Sequence, residues 1–136
     1  MVATVSAKDL GISDAEVKLL CAGLLHFGGP ANPTGEFAVA MGFRGLQSMH
    51  GECAEIRRGL EATGELTPRD WTRALVSLEI AFASDLVGVG YEWTTVTGRL
   101  DEETVRDLRS IQRKLVRVVF PVLRSGELIA AHEESE

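Results

Sequence analysis

Asp85 and Glu79 flank an apolar helical stripe, and carboxylates in that position can do acid–base work when a base meets them. On a wheel of about 100° per residue, Asp85 falls between Leu78 and Val89, and Glu79 falls near Leu75 and Leu86. Such groups are costly to bury without a partner. His50 and Arg57, on the apolar side of the preceding helix, are the partners the chain offers. A carboxylate against His50 would be a titratable pair. The plainer outcome of the same contact is an interhelical salt bridge that fixes helix register. If the pair lines a pocket between the second and third helices, Trp71, Phe82, Tyr91 and Trp93 supply its walls.

His50 and Cys53 form an i, i+3 pair of zinc-competent donors. Two ligands do not make a site. There is no CxxC, no HxxxH and no Glu-x-x-His pair, so neither a metal nor a cofactor is expected. The glycines at 28 and 29 follow a helix and lack phosphate-loop spacing, and no serine sits in a nucleophile motif.

Arg106, Arg109, Arg113 and Arg117 fall on one side of the last helix, with Arg124 beyond them. Arginine forks of this kind grip phosphates or acidic partners, although the usual role of such a row is a solvated face. The chain carries a net charge of −6, yet six basic residues and one acid between Arg106 and Arg124 make that segment +5 and leave −11 elsewhere. Without interleaved aromatics or a basic balance, nucleic acid is not the expected partner. A membrane is not expected either, because no apolar run approaches about 18 residues.

These groups must be positioned by helices. Ser13-Asp14-Ala15-Glu16 is a capping box that opens a first helix through about residue 27, with a stripe of Val17, Leu20, Cys21, Leu24 and Phe27. After a Gly- and Pro-rich break over 28–36, a second helix is expected over about 37–61, with a seam of Val39, Phe43, Leu46, Cys53, Ile56 and Leu60. Thr67-Pro68-Arg69-Asp70 supplies a cap, a proline at the first helical position and an acid at the third. A third helix is expected from there through about residue 93. Asp101 is expected to cap a last helix through about residue 123, kinked or cut short by Pro121.

The third helix has apolar residues on two opposite sides. Trp71, Leu75, Leu78, Phe82, Leu86, Val89 and Trp93 form one stripe; Val76, Ile80, Ala83 and Val87 form the other. Leaving the second stripe wet would forgo roughly 1.5–3 kcal/mol per large side chain. The pattern therefore places this helix centrally and predicts a homodimer through Val76, Ile80, Ala83 and Val87.

At 136 residues, with 45% hydrophobic and 25% charged positions, the chain is expected to be one all-α, four-helix bundle-like domain. Residues 1–12 read as a flexible arm, 13–125 as the helical domain and 126–136 as an acidic tail. The start lacks a basic then apolar secretory pattern, and Cys21 and Cys53 fit reduced core thiols, so a cytoplasmic location is expected. The functional expectation is a non-enzymatic interaction or regulatory module: a small acidic inhibitor, an immunity-type protein or an adaptor. The alternative is a small-ligand binder or enzyme using the pocket described above.

Overall fold

The computed structural model describes residues 3–27 and 34–126. Among the described residues the fold is all-α apart from one short antiparallel ladder, in which β1 (Val5–Ser6) pairs with β2 (Glu65–Leu66). Seven helices occur among the described residues, four long and three short, where four main helices are expected. The four longest are α2 (Asp14–Phe27), α4 (Leu46–Ala62), α5 (Pro68–Ala83) and α7 (Asp101–Ser125). Three short ones join them: α1 (Ala7–Leu10), α3 (Gly35–Ala40) and α6 (Trp93–Thr97).

The N-terminal segment is not a loose arm over its described part. Ser6 Oγ accepts from the Asp9 amide at 3.0 Å, and the Ala7 amide donates to the Gly64 carbonyl at 2.7 Å. The Trp71 indole N–H donates to the Val5 carbonyl at 2.8 Å, and Ile12 is buried. A two-residue strand needs a partner some 60 residues away, which no local pattern signals.

Both strong start signals form as read. The Ser13 amide donates to Glu16 Oε1 (2.9 Å) and the Glu16 amide to Ser13 Oγ (3.1 Å), which is a reciprocal cap. The Asp70 amide donates to Thr67 Oγ1 at 3.2 Å. The buried side of α2 is turned from the expected stripe: Glu16, Leu19, Leu20, Gly23, Leu24 and Phe27 go inside, whereas Val17 and Cys21 are half-buried. Lys114 of α7 draws Glu16 inward with a 2.6 Å hydrogen bond.

The expected second helix is two. Its first part stops at Ala40 because Gly42 adopts φ +90°, with the Gly42 and Phe43 amides donating back to Val39 and Ala38. That turn sends Met41 and Phe43 into the core. Met49, Cys53, Ile56 and Leu60 then form the buried side of α4, while Leu46 stays exposed.

The third helix ends at Ala83, not near residue 93. Ser84 Oγ accepts the amides of Leu86 and Val87, Asp85 Oδ1 accepts the amide of Tyr91, and Gly90 adopts φ +56°. These side chains offer the backbone a turn in place of further helix. Leu86 and Tyr91, expected as core and pocket wall, are 85% and 79% exposed as a result.

α5 is central, packing most extensively on α2 and then on α7. It does so partly through small residues, Ala74, Ser77 and Ala81, that are fully buried beside the Trp71–Leu75–Leu78 stripe. The last helix begins after Leu100, with Asp101 inside its first turn, and runs to Ser125 through Pro121. Pro121 is exposed and neither shortens the helix nor stops it, because Val119 and Val122 on either side are buried.

Candidate functional site

The outer face of α7 carries the most distinctive surface. Thr104, Leu108, Ile111, Leu115, Val119 and Val122 point inward. Next to that side, Val105, Val116, Phe120 and Leu123 remain 43–52% exposed and share one stripe, since 116, 120 and 123 follow the i, i+4, i+7 spacing. Arg106, Arg109, Arg113, Arg117 and Arg124, all exposed, run along the far edge of that stripe.

Among the described residues none of these five arginines is ion-paired with a carboxylate. Arg109 donates to Gln112 Oε1 at 2.9 Å, and Gln112 donates to Glu79 Oε2 at 2.5 Å. The Arg124 guanidinium lies 5.1 Å from the centre of the Phe120 ring. Among the described residues this helix face sets five guanidinium groups without carboxylate partners beside exposed apolar side chains.

A second feature is a polar cleft of about 430 Å³ between α4 and α5, lined among others by Arg44, Ser48, Glu52, Arg69, Asp70 and Arg73. Arg73 is only 4% exposed. Its Nη1 lies 3.4 Å from Asp70 Oδ1 and its Nη2 3.6 Å from Glu52 Oε1, and its guanidinium stacks 4.9 Å from the Phe43 ring centre. Glu52 Oε2 also accepts from the Arg44 amide (3.0 Å) and Ser48 Oγ (2.9 Å). Burial, then the neighbouring Arg69, lower the pKa of Arg73, while Asp70 and Glu52 raise it in opposition. Arg73 Nε is buried without a hydrogen bond among the described residues. The network clamps the turn before α4 onto α5.

The expected pocket residues are not gathered at this cleft. None of His50, Arg57, Glu79, Asp85, Trp71, Phe82, Tyr91 or Trp93 lines the cleft. His50 is exposed on α4, and the half-buried Arg57 lies near Cys21 and Glu61. Asp85 is exposed, and its Oδ1 accepts the Tyr91 amide rather than meeting His50 or Arg57. Trp71 and Trp93 are buried structural residues, the second donating to Thr104 Oγ1 at 3.0 Å and packing edge-on to Phe82 at 5.5 Å. On the face assigned to a dimer, Val76 and Ile80 are half-buried against the chain's own core, Val87 is half-buried and Ala83 is exposed.

The arginine row was visible in the sequence, but the clamp around Arg73 was not. The i, i+3 spacing of Asp70 and Arg73 was its one local signal, and Glu52 joins only when α4 and α5 come together.

Among the described residues no group of three His, Cys, Asp or Glu side chains could hold a metal ion, and no helix is long and apolar enough to cross a membrane. The chain matches no family model, no curated protein and no solved structure.

Proposed function

We propose that the protein is a non-enzymatic helical docking module, regulatory or adaptor in kind, and that the outer face of α7 receives an acidic segment of a partner protein. The observation that carries this is the row of five arginines without carboxylate partners among the described residues, set beside Val116, Phe120 and Leu123. Arginine is enriched at protein interfaces, and exposed apolar side chains at the centre of a charged face supply the area such contacts bury.

A fluorescent amphipathic peptide of glutamate and leucine tests the face directly. It should bind the wild-type chain, weaken as salt is raised, and lose most of its affinity for Phe120→Glu and for the R113E/R117E variant, with helical circular dichroism unchanged. Equal binding to wild type and both variants would remove the proposal. Pairing of two copies through Val76, Ile80, Ala83 and Val87 is a separate proposal, and a sedimentation mass of one chain at micromolar concentration would end it.

A further inference from the structure

We infer that the seat on α7 continues across onto α5, and that its occupant is an acidic amphipathic helix of about 18 residues lying lengthwise over the pair. The inference rests on the reading of the α7 face as a docking surface, and it names the form of the partner and the second helix it touches.

The two incompletely covered apolar stripes of the chain are neighbours. On α5, Val76, Glu79, Ile80 and Ala83 share one side through the i, i+3, i+4, i+7 spacing; Val76 and Ile80 are half-buried and Ala83 is exposed. On α7, Gln112 falls in line with Val105, Val116 and Leu123 by the same spacing. Gln112 Nε2 donates to Glu79 Oε2 at 2.5 Å, so the two stripes meet near their middles. The helices run in opposite directions, because Phe82 near the end of α5 and Thr104 near the start of α7 both meet Trp93. One turn from the Glu79–Gln112 bond, Val76 is therefore level with Val116. Packed helices lie about 8–10 Å apart, which brings both stripes under one further helix.

Charge selects the occupant. Glu79 is the carboxylate at the middle of this face, and it is engaged by the relay in which Arg109 holds Gln112 and Gln112 donates to Glu79. The arginines along the α7 edge are left to meet acids on the partner. A second copy of this chain brings the same arginines with it, whereas an acidic helix complements them.

The form of the occupant follows from what the seat is made of. Two α-helices present side chains, their backbone groups being spent on their own hydrogen bonds. An extended segment laid there would find no backbone partners, whereas a helix arrives with its own satisfied. Val105 and Leu123, both exposed, are 18 positions apart, about 27 Å of helix, and a helix of about 18 residues covers that length.

Fluorescence anisotropy with a labelled glutamate–leucine peptide of about 18 residues in helical register tests both parts. Ala83→Glu, an exposed change on the α5 side, should weaken binding about tenfold with helical circular dichroism unchanged, and Leu46→Glu at the start of α4 should not. A proline at the centre of the peptide should weaken binding to the wild-type chain by about tenfold or more, a readout that needs no variant to fold. Binding lost in Phe120→Glu and R113E/R117E but unchanged by Ala83→Glu leaves the docking face on α7 standing and overturns its extension to α5. Equal binding of the proline peptide overturns the helical occupant. A wild-type chain that sediments as a pair the peptide does not dissociate assigns the α5 stripe to a second copy and also overturns the inference. No binding of either peptide to the wild-type chain removes the docking face, and this inference with it.

Discussion

Gly23 of α2 lies against Leu78 of α5 so closely that a Cβ at position 23 would come within 2.6 Å of the Leu78 Cα and 2.7 Å of its Cβ. This contact sets the spacing of the two helices that bury each other most. Gly23→Ala gains up to about 1 kcal/mol of helix propensity but forces backbone apart, and overpacking costs about 1–3 kcal/mol. A net loss in urea midpoint is expected. Gly51 of α4 meets nothing within 4 Å, so Gly51→Ala should instead stabilise by up to about 1 kcal/mol. Shifts of the same sign for both would contradict the close approach.

Arg73 should be a stability residue. Removing it leaves Glu52 without its guanidinium and Asp70 with only the 3.9 Å contact to Arg69, and takes a stacking partner from Phe43. Arg73→Met is expected to cost on the order of 3 kcal/mol, the lower end for breaking a buried pair, because both carboxylates keep some solvent. Glu52→Gln in the Arg73→Met background should cost much less than in wild type. Additive losses would show that the two groups do not act together.

Local chemistry was legible in this chain and long-range geometry was not. The caps at Ser13 and Thr67 were fixed by residues three positions apart, and both formed. The arginine row follows from helical spacing, and so do Leu108, Ile111, Leu115, Val119 and Val122 on the buried side of α7; the same spacing also puts Val105 inside, whereas Val105 is 43% exposed and Thr104 is buried. The central place of α5 was legible through Trp71, Leu75 and Leu78, but its small-residue side, Ala74, Ser77 and Ala81, carries little weight on a hydrophobic wheel. The helix ends were missed where side chains, not periodicity, decide them: Ser84 and Asp85 hold a turn, and burial of Met41 and Phe43 outweighs continuing helix through Gly42. Asp85 falls at the core edge only on a wheel that continues α5 past Ala83, where the helix ends.

Acid should destabilise the fold in two steps. Burial holds the His26 pKa below its ordinary 6.5, and its Nδ1 finds no hydrogen bond among the described residues. Protons then bind the unfolded chain first, so stability falls as pH drops below about 6.5. Burial pushes Glu16 up, but Lys114, the Ser13 amide and Ser110 together hold it below its ordinary 4.5. Its contribution is fully present above that value and is lost as pH falls through the lowered one. Urea midpoints measured against pH should lose the first step in His26→Gln and the second in Glu16→Gln. Parallel profiles for wild type and His26→Gln between about pH 5 and 7 would contradict the first assignment.

Both cysteines should be slow to react in the folded chain. Burial is the main cause that raises Cys21 to about 11 and Cys53 to about 12, and Cys53 is also only 2% exposed. At pH 8 the thiolate of Cys21 is then about one part in a thousand. A thiol reagent should label the half-buried Cys21 slowly, Cys53 more slowly still, and both fast once urea unfolds the chain. Stoichiometric labelling of the native protein within seconds would contradict the burial of Cys53.

Asp85 should matter as a turn residue and not as one half of an interhelical pair. Its Oδ1 accepts the Tyr91 amide at 2.7 Å, while Gly90 between them holds φ +56°, a backbone that side chains rarely adopt. Asp85→Ala frees that amide in an exposed turn, so the expected loss is about 1 kcal/mol, the net worth of one ordinary hydrogen bond. Asp85→Asn keeps an acceptor oxygen and should retain most of it. Tyr91 is 79% exposed, so Tyr91→Ala should leave the turn intact, because the bond uses its backbone. Double-mutant cycles of Asp85→Ala with His50→Ala and with Arg57→Ala should each show coupling within about 0.5 kcal/mol of zero. A larger coupling to either would mean that the carboxylate leaves the turn for α4, and Asp85 would then return as a candidate for chemistry.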